Sequence, residues 1–328
     1  MRASSSMTIL FFSLCFGLTP SVQAGWHRDQ QDIMGTRIIV ELYHDDDNVA
    51  NGAISAVMDE MRRIDDAMSP LKPESELSLV NRTAAEHPVK ITDELFGLLQ
   101  RSIHFSELTQ GAFDITFASV GFFYDFRAGV RPDDAERRQA VQFINFRNIA
   151  LNDKSKTVFF EKSGTKIDLG GIAKGYAVDR CIDIVRSRGI TSALITAGGD
   201  SRVIGERWGR PWQIGVRDPR NRDGLVAVIP LENVAVSTSG DYERFFMEGN
   251  VRYHHIIDPT TGDSARGMRS VTIIGPEATT TDALSTSVFV MGVNKGLALI
   301  NRLPGVDAIL VDGGGAMHYS SGLEQLKK

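Results

Sequence analysis

The stretch Lys166–Asp179, KIDLGGIAKGYAVD, organises the rest of the chain. Residues 158–160 and 167–169 are apolar enough for two short strands, and paired glycines follow the second one. A helix then begins, because apolar residues recur at helical spacing in Ala173, Ala177, Cys181, Ile184 and Val185. Gly189 is placed to follow its end. We therefore expect a strand that enters a helix through a tight glycine turn.

Such a turn has two interpretations. Backbone N–H groups and the positive end of the helix converge there, and phosphates bind well to this arrangement. Lys174 adds a mobile positive charge in the first helical turn, and Asp168 adds a carboxylate at the strand end. The sequence around it is neither a Walker A motif nor GxGxxG. Taken alone, the pattern equally suits a turn that serves packing only, with Lys174 in solvent.

Residues 1–24 have the features of a secretory signal peptide. Arg2 precedes an apolar run from Ile9 to Leu18, and Val22-Gln23-Ala24 suits signal peptidase. Cys15 raises the alternative of a lipoprotein, but the residues before it lack the small residue expected next to a lipidated cysteine. We expect cleavage after Ala24 and a mature, soluble, periplasmic protein.

The composition excludes some classes of protein. The formal net charge is −5 and no basic run is present, which argues against nucleic acid as the main partner. Residues 25–328 contain only Cys181, so the mature chain has no internal disulfide. Cys181 lies on the apolar face of its predicted helix and is expected to be buried.

Periodicity predicts an irregular alternation of helices and strands, typical of an α/β to α+β fold. Amphipathic helices are expected at 48–68 and 93–108, the second capped by Thr92 or Asp93. Strands are expected at 37–43, 193–196, 212–216, 225–229, 234–237 and 271–274. The dense aromatic group Phe122, Phe123, Tyr124 and Phe126 suits either the core or one wall of a pocket for a flat ring.

Two adjacent histidines begin the segment His254–Gly262, which we predict to be a short strand closed by a turn. Neighbouring strand residues face opposite sides, so only one histidine can face a given site. A histidine of near-neutral pKa is a suitable general base for a hydroxyl nucleophile. Asp258 is expected to cap its own turn.

A threonine is expected to cap the helix that follows residues 271–274. Asp282 and Thr286 are four residues apart in that helix and so project from one face. A carboxylate and a hydroxyl so placed suit Mg²⁺, which takes few protein oxygens. The alternative is that Asp282 only complements the helix dipole.

Six motifs taken together resemble the FAD:protein FMN transferases, the ApbE-type flavinyltransferases. They occur in the family's order over nearly the whole mature chain, and they are Met34-Gly35-Thr36, Ser75-Glu76-Leu77, Gly111-Ala112-Phe113-Asp114-Ile115-Thr116, residues 168–175, residues 255–262 and residues 282–286. The resemblance implies one ApbE-like catalytic domain over residues 25–328, with FAD in a cleft between sub-structures. It also implies Mg²⁺-dependent transfer of FMN to a threonine or serine of an acceptor protein, with release of AMP.

The resemblance further implies roles for single residues. His255 would be the catalytic base, and the metal ligands would be Gly171 through its carbonyl, Asp282, Thr286 and Ser285. Contacts to FAD would come from Met34, Leu71, Phe123, Tyr124, Asp125, Asp168, Lys174 and Ile256. Some relatives carry an acidic residue in place of Ser285 or glutamate in place of Lys174. The acceptor would be a respiratory or redox flavoprotein, and any contact with a membrane would be through it.

Two other functions fit the same residues. One is a periplasmic FAD pyrophosphatase, in which water replaces the acceptor hydroxyl. The other is an exported protein that binds FAD without transferring it. His255 argues against this function, because a binding protein needs no general base.

Overall fold

A computed structural model describes residues 25–221 and 224–325 of the chain, without the side chain of Gln325. The predicted signal peptide and Cys15 lie outside the described residues. Fifteen strands are present in this part, namely β1 Gly25–Ile33, β2 Thr36–His44, β3 Val89–Lys90, β4 Ile149–Asn152, β5 Thr157–Phe160, β6 Ala193–Ala197, β7 Asp200–Ile204, β8 Trp212–Arg217, β9 Leu225–Leu231, β10 Ala235–Gly240, β11 Phe245–Glu248, β12 Val251–His254, β13 Met268–Gly275, β14 Asp307–Asp312 and β15 Met317–Tyr319. The helices are α1 Asp47–Met68, α2 Glu76–Thr83, α3 Asp93–Leu108, α4 Ala118–Gly121, α5 Asp134–Val141, α6 Ala173–Ser187, α7 Ala278–Ile300 and α8 Ser321–Gln325.

The main sheet has eight strands in the order β1-β2-β6-β7-β10-β13-β14-β15, and every neighbouring pair is antiparallel. One face is apolar because alternate residues such as Ile38, Val40 and Leu42 point to the same side. Helices α1, α6 and α7 pack on the sheet. An antiparallel sheet with helices gathered on it makes the fold α+β, within the predicted class.

Most helices whose sequence signals are close together in the chain lie where the sequence predicts them. Helices α1 and α3 match the predicted ranges, and the side chain of Thr92 accepts the Leu95 N–H at the start of α3. Helix α6 ends at Ser187, and Gly189 follows it with a φ of 78°. Cys181 is fully buried. These elements form as predicted because their signals are local in sequence.

The strand predicted at 167–169 is absent from the described structure, and this prediction was wrong. The backbone of Ile167 is instead hydrogen-bonded on both sides to the Asn81 side-chain amide, at 2.8 Å each. The Asp168 N–H donates to the carbonyl of Ile115. Because these groups are satisfied by a side chain and a loop, the segment is buried without pairing as a strand.

The cap predicted for α7 was also wrong. No threonine caps this helix, whose N-cap residue is Glu277, and no side chain of its own caps it. The carboxylate of Asp179, in α6, accepts hydrogen bonds from Ala278 N–H and Thr279 N–H at 2.9 and 2.8 Å. The start of α7 is thus fixed by a neighbouring helix.

Helix α7 is, in the described part of the chain, the one helix long and apolar enough to cross a membrane by length and composition. Half of its most apolar window is buried within the protein, and it packs against β10 and β13. Gly292 interrupts the helix with a φ of 75°. These contacts are those of a core helix.

A second, smaller cluster of buried residues stands beside the main core and comprises Val120, Tyr124, Ala140 and Ile257. Ile256 belongs to the main core, whereas the next residue, Ile257, belongs to the smaller cluster. The segment that follows His255 therefore connects two sub-structures, one built on the main core and the other on the smaller cluster.

Candidate functional site

The first turn of α6 holds Lys174 between two carboxylates. Its Nζ lies 2.6 Å from Asp200 Oδ2 and 3.4 Å from Asp282 Oδ2. Asp200 begins β7, and Asp282 lies in α7, so three separate elements meet here. Asp282 Oδ2 also accepts the backbone N–H of Gly175 at 3.0 Å. Asp282 therefore faces the start of α6 and not only its own helix dipole.

The electrostatics of this group follow from its burial. Burial would lower the pKa of Lys174, but the charges of Asp200 and Asp282 outweigh it and raise the pKa. Burial and the charge of Asp200 raise the pKa of Asp282, against the opposing effect of Lys174. Two carboxylates face one ammonium, and a further cation beside Asp282 would favour the ionised form of this carboxyl against its raised pKa.

Hydroxyl groups gather around Ser285 and Thr286, within one helical turn of Asp282. Gly171 approaches Thr286 so closely that a Cβ on this glycine would lie 3.4 Å from Thr286 Oγ1. Ser239 Oγ, at the end of β10, lies 2.8 Å from Ser285 Oγ and 3.3 Å from Thr286 Oγ1. Ser285 Oγ also donates to the carbonyl of Asp282 at 2.9 Å.

These oxygens fit a hard divalent cation. Within residues 25–221 and 224–325, no group of three or more histidine, cysteine, aspartate or glutamate side chains could hold a metal. The set Asp282, Thr286 and the Gly171 carbonyl offers one carboxylate and neutral oxygens, which suits an ion that keeps waters or substrate phosphates. Gly171, Ser285 and Thr286 thus lie close together near Asp282, and their role as metal ligands stays a prediction.

The two histidines have different surroundings. His254 is the last residue of β12 and His255 follows it, whereas the sequence predicted that both begin a strand. That prediction was wrong because the preceding residues 251–254 pair with β11. His254 is 3% exposed, its Nε2 lies 2.8 Å from the Ala265 carbonyl and its ring contacts Phe289 edge-on. Burial lowers the pKa of His254 to about 4. His254 is therefore held inside the core.

His255 is half-buried, and its Nδ1 has no hydrogen-bond partner among the described residues. Burial, followed by the charges of Arg244, His254 and Lys174, lowers the pKa of His255 well below its usual range. The imidazole is thus neutral at physiological pH, the form that accepts a proton. Asp258 caps its own turn, as predicted, by accepting Thr260 N–H at 2.8 Å.

Asp168 lies in the loop that precedes α6. Its Oδ1 accepts the N–H of Gly170 at 2.6 Å. Burial raises the pKa of Asp168, whereas the charges of Arg244 and Lys174 act in the opposite direction. Asp168 therefore shares the electrostatic environment of both His255 and Lys174.

The predicted flavin contacts fall into two groups. Met34, with a φ of 56° in the β1–β2 turn, Leu71 and Phe123 have side chains that are partly or largely accessible, with Leu71 87% exposed. Tyr124 and Asp125 make contacts within the protein: the Tyr124 hydroxyl donates to the Gly262 carbonyl at 3.1 Å, and Asp125 Oδ1 accepts two loop N–H groups at 2.9 Å.

The core interpretation applies to Tyr124 and Phe126, whereas a pocket wall formed by Phe122 and Phe123 stays a prediction. Tyr124 stacks on Phe126, with ring centroids 5.4 Å apart, in the smaller core cluster. Phe122 and Phe123 are half exposed. Ile256 is buried, 4% exposed, in the main core.

A cavity of about 730 Å³ opens on the face of the main sheet opposite the helices. It lies between that face and the β8–β9 hairpin, and it reaches the turns at Gly35 and at Gly198-Gly199. The second of these turns leads directly into Asp200. The volume is in the range typical of small-molecule sites.

Sequence reasoning missed several residues of this site. Asp200 had a weak signal, since it follows an apolar strand and two glycines. Ser239 and Arg244 had none, because their positions depend on the pairing of β10 with β13 and of β11 with β12.

Known proteins are similar to this chain in sequence and in fold. The sequence model of the ApbE family matches residues 34–310. A protein of Treponema pallidum named FAD:protein FMN transferase is 34% identical over 283 residues, covering 80% of this chain and 77% of its own length. One of that name from Klebsiella pneumoniae is 31% identical, covering 85% and 87%.

Two solved structures are similar as well. The ApbE protein of Thermotoga maritima superposes with a TM-score of 0.85 at 37% identity, covering 93% of this chain and 100% of its own. The flavin transferase ApbE of Vibrio cholerae superposes with a TM-score of 0.83 at 26% identity, covering 92% and 99%. The chain therefore belongs to the ApbE family and is a transferase.

Proposed function

We propose that the protein transfers FMN from FAD to a threonine or serine hydroxyl of an acceptor protein, in a Mg²⁺-dependent reaction that releases AMP. The observation that carries this proposal is the meeting of Lys174 and Asp200 with Asp282, whose helix also holds Thr286, which Gly171 approaches closely, in a chain whose relatives are named FAD:protein FMN transferase. The charge and donor types of this group suit a cation bound together with a diphosphate.

Each residue then has a physical role. His255 would take the proton of the acceptor hydroxyl, whose oxygen forms a bond to the FMN phosphorus. The bond from that phosphorus to the bridging oxygen breaks, and AMP leaves with the electron pair. Asp282, Thr286 and the Gly171 carbonyl would hold Mg²⁺, with Ser285 as a further oxygen. The metal would supply charge neutralisation at the diphosphate.

We infer a position for FAD from the junction of the two sub-structures. We place the nucleotide in a cleft beside the His255–Ile257 segment, where the main core meets the smaller cluster. Met34, Leu71 and Phe123 have side chains accessible to a ligand, whereas Tyr124, Asp125 and Ile256 would shape the cleft from within the fold. Asp168 and Lys174 would face the nucleotide's polar part.

We further propose that the protein works in the periplasm, after cleavage behind Ala24, on a respiratory or redox flavoprotein. Lipidation at Cys15 is the less favoured alternative. Contact with a membrane would then be made only by the acceptor.

The experiment combines purified protein, FAD, Mg²⁺ and the apo-form of a respiratory flavoprotein that carries FMN on a threonine. We expect flavin fluorescence on the acceptor band of a denaturing gel and an equal amount of AMP. An acceptor with that threonine replaced by alanine is the control. AMP and free FMN without a fluorescent acceptor would instead identify a pyrophosphatase, and intact FAD would identify a binding protein.

A further inference from the structure

Arg244 lies directly opposite His255 across the β11–β12 pair. The register pairs Phe245 with His254, and the His255 N–H donates to the Arg244 carbonyl at 3.1 Å, which extends the pairing by one residue. Directly opposed residues of an antiparallel pair direct their side chains to the same face. Arg244 therefore projects from the face that carries His255, away from His254 and Phe245.

The charge of Arg244 acts on two predicted site residues. It contributes to the lowered pKa of His255, and at Asp168 it opposes the burial that raises the pKa of that carboxyl. Arg244 is exposed. Its guanidinium forms no hydrogen bond or ion pair with residues 25–221 or 224–325. Nearby arginines differ in this respect, since Arg217 pairs with Glu243 at 3.0 Å and Arg220 with Asp241 at 2.7 Å.

The other cation that acts on His255 is already engaged. Lys174 Nζ lies 2.6 Å from Asp200 and 3.4 Å from Asp282, so its charge is compensated by carboxylates. A diphosphate substrate brings two negative charges to the site. Of these two cations, Arg244 is the one whose donors have no hydrogen-bonded carboxylate among the described residues, so they can meet this charge.

We propose that Arg244 binds the FMN phosphate of FAD, the group that the acceptor hydroxyl attacks. This inference rests on the proposed function, because the general base must lie within hydrogen-bond reach of that hydroxyl. Arg244 shares the face of His255 and so lies on the same side of the reacting phosphorus. Its planar fork of donors matches two non-bridging phosphate oxygens, whose charge it stabilises as the bond to the bridging oxygen breaks.

Binding measurements on the whole protein test this assignment without turnover. The ligands are FMN, riboflavin and AMP, each titrated by calorimetry into the parent and into Arg244→Gln. We expect FMN affinity to fall on the order of 10- to 100-fold, the usual range for a lost charged hydrogen bond. Riboflavin and AMP affinities should change less than about twofold, because neither carries the FMN phosphate.

Arg266→Gln is the matched control. Arg266 is also an exposed arginine near this hairpin, but its charge acts on His254 and its side chain bonds to the Arg252 carbonyl. It should bind all three ligands as the parent does. Equal FMN affinity in the parent and in Arg244→Gln overturns the assignment, as does an equal loss for riboflavin.

Kinetics separate a phosphate contact from a structural role. We expect Arg244→Gln to lower kcat of FMN transfer on the order of 100-fold, as for other donors to developing charge. Arg244→Lys should recover part of the binding and less of kcat, since lysine lacks the fork. If the parent itself transfers no FMN, the proposed function fails, and the FMN titration still decides whether Arg244 binds the phosphate.

Discussion

The carboxylate of Asp282 accepts the backbone N–H of Gly175 at 3.0 Å, across the contact between α7 and α6. The two helices approach so closely here that a Cβ on Gly175 would lie 2.2 Å from the carbonyl oxygen of Ala278 and 2.8 Å from Asp282 Cβ. A free N–H at a helix start stabilises a carboxylate. The close packing of α6 against α7 therefore also fixes the position of the Asp282 carboxylate.

Gly175→Ala tests this packing. The added methyl group would force α6 and α7 apart, and we expect a loss of roughly 1–3 kcal/mol in unfolding free energy, together with lower transfer activity. Gly52→Ala in α1 is the control, because a Cβ there meets nothing within 4 Å. That variant should gain about 0.5–1 kcal/mol from helix propensity. Urea unfolding of both variants measures the difference, and a stable, fully active Gly175→Ala would contradict the close contact.

Asp282→Asn tests the proposed metal site. The amide retains the size of the side chain and loses the anionic oxygen, so we expect Mg²⁺-dependent transfer to fall on the order of 100-fold or more. Glu277→Gln is the control, since Glu277 is a half-exposed acid at the start of the same helix that pairs with Arg101. Transfer is measured against Mg²⁺ concentration, with melting temperature as the check on folding. Parent-like activity and an unchanged Mg²⁺ requirement would remove Asp282 from the site.

The sequence predicts those parts of the fold and site whose signals are close together in the chain. Helices α1 and α3 follow from apolar spacing, and Asp282 and Thr286 share a face because they are four residues apart. Residues 167–169 have the same apolar character as a strand, yet Asn81, more than 80 residues earlier, satisfies the backbone of Ile167. That partner has no local signature.

Long-range pairing explains the other failures. The start of α7 is capped by Asp179 from α6, so the nearby threonines gave a misleading signal. Lys174 meets Asp200 and Asp282 only because α6, β7 and α7 are neighbours in space, and Arg244 meets His255 through the register of the β11–β12 hairpin. One sequence does not reveal which strands pair, and these site contacts depend on that.

The proposed export predicts a specific mature protein. Cleavage after Ala24 leaves Gly25 as the first residue, which is also the first residue of β1. We expect the intact mass of periplasmic material to correspond to residues 25–328. Cys15→Ser should yield the same mass, because Cys15 is removed with the signal peptide. A mass that includes Cys15 and a diacylglycerol group would show a lipoprotein instead.

His254 should make the stability of the protein depend on pH. Burial holds its pKa at about 4 in the folded state, below the ordinary value of 6.5. Between these values the unfolded chain binds the proton and the folded chain does not, so the free energy of unfolding falls as pH decreases from 6.5 towards 4. At pH 4.5, this difference lowers the free energy of unfolding by on the order of 2–3 kcal/mol relative to its value at neutral pH.

The variant His254→Gln isolates this contribution from those of other groups. Urea unfolding at pH 7.5 and at pH 4.5 gives the change in stability for the parent and for the variant. We expect the parent to lose more stability than the variant by the amount above. Equal losses would show that His254 titrates in the folded protein with an ordinary pKa.

His255→Ala is the test of the base itself. General-base catalysis contributes about 100- to 10,000-fold, so we expect acceptor flavinylation to fall by that factor while FAD still binds. His254→Ala, assayed well below its melting temperature, should lose far less, because His254 faces Phe289 in the core. The low pKa of His255 in the free enzyme also predicts that the parent's kcat/KM shows no loss from its protonation down to pH 6. Parent-like flavinylation by both variants from pH 6 to 9 would place the base elsewhere, with Asp258 the next residue to test.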